Sequence, residues 1–149
     1  MTKPTVPRSL FITGTDTGVG KTVLTGSLLV ALQQHGKKIG VVKPVETGVS
    51  PLGEEESDSG HLRQLCVPSP SPDSVCLYRY EPPLSPLACS RLVQRSIDHL
   101  KILYHCQALA LQHEFTLIEG AGGLLVPLTP SYTFLDLILS LQIPCLLVI

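Results

Sequence analysis

The chain has 149 residues, with 11 Lys and Arg against 12 Asp and Glu, so its formal net charge is −1. That balance argues against a nucleic-acid binder that works by neutralising phosphates. Hydrophobic residues make up 44% of the chain and charged residues 15%, which excludes a disordered chain and favours a sheet covered on both faces. The length fits one domain spanning residues 1–149.

The first part of the chain alternates apolar runs with helical periodicity. Residues 9–13 predict a buried strand, residues 21–35 a helix that ends before Gly36, and residues 39–42 a second buried strand. Strands that alternate with helices form a parallel, right-handed α/β sheet. The pattern therefore predicts an α/β fold.

The middle of the chain is less regular. Residues 48–60 are loop-like and acidic, and a short helix is predicted over residues 57–65. Six of the 13 prolines lie within residues 68–86. Because proline interrupts both helices and sheets, we expect an ordered surface loop there, without regular helix, around a short segment at 75–80.

Regular structure returns in the last third of the chain. Ser96 is a candidate N-cap for a helix that runs to His113. Four residues at helical spacing share one face of that helix: Leu100, Tyr104, Ala108 and Leu111. Further along, residues 115–118 predict a third buried strand, residues 132–141 a helix that is apolar nearly all round and therefore buried, and residues 144–149 a fourth strand.

The sequence stops inside this last apolar strand. An open parallel sheet normally continues from such a strand into a helix, with about 30 residues for each further βαβ unit. Because an unpaired apolar strand at a chain end is liable to aggregate, we expect that a C-terminal remainder is missing.

The cysteines and the apolar segments indicate a cytoplasmic location. The five cysteines are scattered, without C-x-x-C spacing, which predicts free thiols in a reducing compartment and argues against disulfides or a zinc site. The start of the chain lacks a signal-peptide pattern. The most apolar segment, residues 135–149, is broken by Asp136 and Pro144 and is shorter than the roughly 20 residues of a membrane span.

The strongest motif is GTDTGVGKT at residues 14–22, between a strand and a helix. Backbone N–H groups in such a loop, together with the helix N-terminus, bind phosphate. Lys21 would reach the β- and γ-phosphates of a nucleotide, and the hydroxyl of Thr22 would bind Mg²⁺. Five residues separate Gly14 from Gly20, whereas the usual spacing is about four.

Two further residues follow apolar strands and could act beside that loop. Glu119 ends the strand FTLIE, where a carboxylate can hold Mg²⁺ opposite Thr22. Lys43 ends the second strand at KPVETG and could stabilise a transferring phosphoryl group, although a solvated surface lysine is the alternative. Asp58 lies in an acidic stretch, and spacing alone does not select it as a metal ligand.

Five segments are spread along nearly the whole chain: GTDTGVGKT, KPVETG, PPLSPLA, EGAGGLLVPL and YTFLDL followed by IPCLLVI. In these segments, and in the order in which they occur, the sequence resembles the dethiobiotin synthetase family, which also has the five-residue glycine spacing. The resemblance implies a P-loop NTPase-like, three-layer αβα fold with a mostly parallel sheet, incomplete at its C-terminus.

The resemblance also implies a reaction and its requirements. The family carboxylates one amine of 7,8-diaminononanoate with CO2, and the carbamate takes the γ-phosphoryl group of ATP. The second amine then closes the ring, which gives dethiobiotin, ADP and phosphate. Implied with this are Mg²⁺, a homodimer with the substrate site near its interface, and neither nucleic-acid nor membrane partners.

Carried over position by position, the resemblance assigns Lys21 and Lys43 as catalytic residues and Thr22, Asp58 and Glu119 as magnesium ligands. The implied nucleotide-binding residues are Gly18, Val19, Gly20, Lys21, Thr22, Val23, Asp58, Glu119, Gly120, Ala121 and Gly122. The implied substrate-binding residues are Thr47, Ser85, Pro86, Gly122, Gly123 and Leu124. All of these positions are occupied as named in this sequence.

The sequence departs from the family at two positions. Gly18 replaces an acidic residue that some members have, and Leu87 stands where many have His.

A P-loop switch ATPase of the partitioning type is one alternative function, but such proteins have a lysine at the position of Asp16. A non-catalytic nucleotide-binding module descended from the synthetase fold is the other alternative, because the family extends beyond Ile149.

Overall fold

The computed structural model describes residues 9–50 and 52–149. The strands are β1 (Ser9–Gly14), β2 (Ile39–Val42), β3 (Val45–Thr47), β4 (Tyr78–Tyr80), β5 (Phe115–Gly123), β6 (Pro127–Thr129), β7 (Tyr132–Thr133) and β8 (Cys145–Val148). The helices are α1 (Lys21–Gln34), α2 (Asp58–Leu65), α3 (Pro72–Val75), α4 (Pro86–Leu92), α5 (His99–Gln112) and α6 (Phe134–Leu141), with a 3-10 turn at Glu54–Glu56.

A parallel four-stranded sheet in the order β2–β5–β1–β8 forms the centre of the molecule. Val42 lies opposite Ile118, and Ile12 lies opposite both Glu119 and Leu146. The carboxyl ends of the strands therefore meet at one edge of the sheet. Two small sheets, β3 with β4 and β6 with β7, complete the pairing in the described residues.

The sheet is covered on both faces, as the low charge content and the apolar strands predict. Phe11 and Ile118 face a core that includes residues of α5 and α6. Their neighbours Ile12 and Leu117 face the opposite core, which includes residues of α1, α2 and α3. Because successive side chains of a strand point to opposite faces, these two cores establish the three-layer α/β arrangement, and the predicted fold class is confirmed.

The strands β1, β2 and β8 and the helix α1 lie where the sequence predicts them, to within a residue or two. The short helix predicted over residues 57–65 is α2, with the Ser57 hydroxyl accepting a hydrogen bond from the Gly60 N–H as its N-cap. All five cysteines are free, as predicted, with Cys145 exposed and the other four buried.

The predicted start of α5 is wrong, and the apolar face that the sequence indicates is not the face that packs on the core. Asp98 is the N-cap in place of Ser96, since its carboxylate accepts hydrogen bonds from two N–H groups of the first turn. The four residues that share the predicted face are exposed, and Ile102 and Cys106 face the core instead. The helix carries two apolar stripes, so helical spacing alone does not identify the buried one.

Three other predictions need correction. The third strand continues past Glu119 through Gly123 as β5. The proline-rich stretch does contain one helical turn, α3, because Pro72 lies in its first turn, where a missing N–H costs nothing. The helix α6 begins at Phe134 and is not buried all round, since Leu139 is exposed.

Candidate active site at the carboxyl edge of the sheet

The loop between β1 and α1 has the close packing and the backbone conformation of a phosphate-binding loop. A Cβ atom on Gly14 would lie 2.7 Å from Cγ2 of Val19, so a larger residue there would force the loop to shift. Gly20 has φ +100°, a left-handed conformation that favours glycine. The loop folds over Lys21, whose ammonium group donates a 2.6 Å hydrogen bond to the carbonyl oxygen of Asp16.

Lys43 and Glu119 meet because their strands are neighbours. Lys43 follows β2 directly, and Glu119 lies in β5 one residue past the position that pairs with Val42. Nζ of Lys43 donates to Oε1 of Glu119 at 2.7 Å and to Oδ2 of Asp58 at 2.5 Å. The Lys43 ammonium is therefore held between two carboxylates, one of which is fully buried.

The electrostatics of this group favour its charged form. Burial acts to lower the pKa of Lys43, but the carboxylates of Glu119 and Asp58 outweigh it and raise that pKa above its ordinary value. Burial acts to raise the pKa of Asp58, and the Lys43 ammonium lowers it below its ordinary value. Burial and the positive charge of Lys43 lower the pKa of Lys21. Two lysines thus concentrate positive charge beside the loop.

The oxygen atoms at this edge fit a magnesium ion in their chemistry. Oγ1 of Thr22 donates to Oε1 of Glu119 at 2.7 Å, which joins the start of α1 to β5. Oε2 of Glu119 is buried and has no hydrogen-bond partner among the described residues. Hydroxyl and carboxylate oxygens are the ligands that Mg²⁺ prefers. The described residues contain no cluster of three or more His, Cys, Asp or Glu for a metal, and the predicted set uses two carboxylates and a hydroxyl.

A cavity of about 270 Å³ opens at the loop. The residues that line it come from the loop, α1, the segment after β2, α2 and β5: Thr17, Gly18, Gly20, Lys21, Thr22, Val23, Lys43, Glu46, Thr47, Asp58, Ala121 and Gly122. Most of the predicted nucleotide-binding residues therefore surround one space.

A second cavity of about 490 Å³ adjoins the first, since Thr17, Thr47, Ala121 and Gly122 line both. Its remaining lining residues are Asp16, Pro83, Leu84, Ser85, Pro86, Gly123 and Val126. Five of the six residues predicted for substrate binding border this space. Its walls are largely apolar, with hydroxyl groups at Thr17, Thr47 and Ser85 and a carboxylate at Asp16.

Four predicted site residues do not line either cavity. Leu124 packs partly buried against the core, Gly120 lies against the ring of Phe11 inside β5, and Val19 packs over Gly14. Glu119 is fully buried and reaches the first cavity through Lys43 and Thr22.

Thr17 and Glu46 also line the first cavity, and the sequence did not single them out. Thr17 lies inside the glycine-rich motif, which could have indicated it. Glu46 lies inside KPVETG, but no local pattern separates its role from that of an exposed strand residue.

Comparison with known proteins agrees with this geometry. A family model described as an AAA domain matches residues 8–149. The chain belongs to the AAA domain family. In this chain, the glycine-rich loop and the start of α1 form one side of the first cavity.

Curated relatives support the resemblance found in the sequence. ATP-dependent dethiobiotin synthetase BioD of Anaeromyxobacter sp. (strain Fw109-5) is 41% identical over 95% of this chain and 62% of its own length. The proteins of the same name from Bacillus velezensis and Bacillus subtilis (strain 168) are 36% and 33% identical, over 95% of this chain and 60% and 61% of their own lengths.

The chain thus spans about three fifths of the length of the curated relatives it matches. Within residues 9–50 and 52–149, no helix has the length and apolar character needed to cross a membrane.

Proposed function

We propose that the chain binds ATP and Mg²⁺ at the glycine-rich loop and acts as an ATP-dependent dethiobiotin synthetase. The observation that carries this proposal is the position of Lys43. Its buried ammonium lies between Asp58 and Glu119 and borders the same cavity as Lys21. The relatives named as dethiobiotin synthetases support the choice of reaction.

The proposed reaction has three steps. One amine nitrogen of 7,8-diaminononanoate attacks CO2, forms a C–N bond and releases a proton. A carbamate oxygen then attacks the γ-phosphorus of ATP, and the bond from that phosphorus to the bridging oxygen breaks to release ADP. The second amine attacks the carbonyl carbon of the mixed anhydride, loses its proton and expels phosphate, which closes the ring.

The lysines stabilise negative charge in these steps. Lys21, the loop amides and the N-terminus of α1 bind the β- and γ-phosphates. Lys43 would neutralise the carbamate and the phosphoryl group as it transfers, because its ammonium borders the same cavity as Lys21. Most of the barrier to phosphoryl transfer is lowered by this positioning and charge neutralisation.

Thr22, Asp58 and Glu119 would hold Mg²⁺, which when bound supplies further neutralisation of the phosphate oxygens. The buried oxygen of Glu119 that lacks a partner supports this assignment. Asp58 and Glu119 both bind the Lys43 ammonium, so the two carboxylates converge on one place.

The second cavity is suited to the diamine. Pro83, Leu84, Pro86 and Val126 offer apolar contacts to an aliphatic chain, and the Thr47 hydroxyl lies where the two cavities meet. Thr47 would bind the amine or its carbamate beside the nucleotide. A homodimer and a cytoplasmic location belong to the same proposal, and sedimentation velocity tests the dimer.

The test is to incubate the chain with ATP, Mg²⁺, bicarbonate and 7,8-diaminononanoate and to measure dethiobiotin and ADP by mass spectrometry. Equal amounts of both products, formed only when the diamine is present, are expected. Lys43→Ala should abolish the reaction, whereas Lys38→Ala, which removes the same charge from an exposed position, should not. ATP hydrolysis without the diamine would favour a switch ATPase, and ATP binding without turnover would favour a non-catalytic module.

A further inference from the structure

Glu46 is a buried carboxylate at the candidate site with a distinctive pair of partners. It lies in the middle of β3 and is 5% exposed. Its Oε1 accepts a hydrogen bond from the N–H of Asp58 at 2.7 Å, and its Oε2 accepts one from the N–H of Ser59 at 3.2 Å. Both oxygens are therefore bound to the start of α2.

These bonds complete the N-terminus of α2. The first N–H groups of a helix have no partner within the helix. Here the hydroxyl of Ser57 accepts from the Gly60 N–H at 3.1 Å, and Glu46 accepts from the two N–H groups before it. In the described part of the chain Glu46 forms no ion pair with a basic side chain. The helix N-terminus stabilises its charge instead.

The short segment that contains Lys43 and Glu46 holds Asp58 at two points, its carboxylate and its backbone N–H. Lys43 binds the carboxylate of Asp58, and Glu46, three residues further along, binds its backbone N–H. Asp58 follows an acidic loop and begins α2. Its side chain borders the same cavity as Lys21, and Glu46 holds the start of α2 against β3.

We propose that Glu46 is a positioning residue that fixes the backbone of Asp58, so that the Asp58 carboxylate contributes to metal-dependent nucleotide binding. The inference rests on the proposed function, because it requires ATP and Mg²⁺ at this edge of the sheet. Glu46 also borders the first cavity. Since both of its oxygens are bound by backbone N–H groups, it acts through Asp58 and not by direct contact with the ligand.

A double-mutant cycle tests this dependence. Calorimetric titration with ATP and Mg²⁺ is carried out on wild type, Glu46→Ala, Asp58→Ala and the double variant. Glu46→Ala should weaken binding by about tenfold, the lower range for residues that orient metal ligands. In the Asp58→Ala background the same change should have almost no further effect, because the group that Glu46 positions is gone. Effects that multiply in the double variant would overturn the proposal.

A second readout separates positioning from general loss of structure. In EDTA, where no metal is available, wild type and Glu46→Ala should bind ATP equally well. An equal loss of affinity with and without Mg²⁺ would mean that Glu46 only supports the fold. Glu56→Ala is the matched control, because it removes the same charge from an exposed neighbour and should leave both affinities unchanged.

Glu46→Gln supplies an intermediate variant. Its amide oxygen can still accept from the Asp58 N–H, but its NH2 group cannot accept from Ser59. It should bind ATP with Mg²⁺ more tightly than Glu46→Ala, and it replaces that variant in the cycle if the alanine form does not fold.

If wild type binds no ATP, the proposed function fails and this proposal with it. If wild type binds ATP but the effects of the Glu46 and Asp58 substitutions on affinity multiply, only the proposed role of Glu46 fails.

Discussion

The ammonium nitrogen of Lys43 lies 2.7 Å from Oε1 of Glu119, and neither side chain is more than 4% exposed. The contact follows from the register of β2 and β5, which places Val42 opposite Ile118 immediately before it. Burying an ion pair costs desolvation that its attraction offsets only in part. Such a pair adds little stability, so its position beside the phosphate-binding loop indicates a role in binding charge.

Replacing Lys43 should destabilise the fold as well as abolish activity. Lys43→Met leaves the Glu119 carboxylate buried without its cation, which should lower the free energy of unfolding by about 3–5 kcal/mol. Urea denaturation monitored by circular dichroism measures this. The double variant Lys43→Met with Glu119→Gln should recover part of the loss, because the buried carboxylate that Lys43 balances is then removed as well.

Lys37→Met is the control for that experiment. Lys37 pairs with Glu114 at 3.1 Å, and both side chains are about half exposed. Solvent screens such a pair, so its loss should change the free energy of unfolding by only about 0–1 kcal/mol. Equal losses for the two lysine variants would contradict the burial argument.

Lys21 should govern nucleotide binding with little effect on stability. Its ammonium group donates to the carbonyl of Asp16, and water can donate to that carbonyl in its place. Lys21→Ala should weaken ATP binding by about tenfold or more, the value of a hydrogen bond to a charged group. Isothermal titration calorimetry measures the affinity, with Lys38→Ala as the control of equal charge. Unchanged affinity in Lys21→Ala would remove the loop from the proposed function.

Thr47 should act on the diamine and not on the nucleotide. Thr47→Val keeps the shape of the side chain and removes the hydroxyl where the two cavities meet. The KM for 7,8-diaminononanoate should rise by about tenfold, as for a lost hydrogen bond to a charged group, while the affinity for ATP stays constant. Thr129→Val, in a separate cavity, should leave both unchanged. A parallel loss of ATP affinity in Thr47→Val would contradict the assignment.

The site residues differ in how far the sequence could identify them. Lys21 and Thr22 belong to a contiguous motif, and Lys43 and Glu119 follow apolar runs, so each has a local signal. Asp58 has none, and only the family resemblance selects it. Glu46 could not be found, because its role depends on β3 lying against the start of α2, a contact between segments that the chain pattern does not encode.

The predicted elements failed where one pattern fits two structures. The glycines after Glu119 indicate the end of a strand, yet β5 continues to Gly123, which pairs with Gly14. Gly120 fits inside it against Phe11, where a Cβ atom would lie 3.1 Å from the ring. In α5 two apolar stripes compete, and the packing against the sheet decides between them. In α6 nearly every residue is apolar, so composition could not show which side faces solvent.

Two Leu→Ala substitutions in α6 test which side of this helix faces solvent. Leu137 is fully buried and Leu139, two residues later, is 65% exposed. Leu137→Ala should lower the free energy of unfolding by about 2–5 kcal/mol, because it removes buried contacts and leaves a cavity. Leu139→Ala should change it by less than about 0.5 kcal/mol, as for a surface site. Urea denaturation of both variants measures the difference. Since leucine and alanine are both good helix formers, similar losses would mean that both faces of α6 are covered, as the sequence alone predicts.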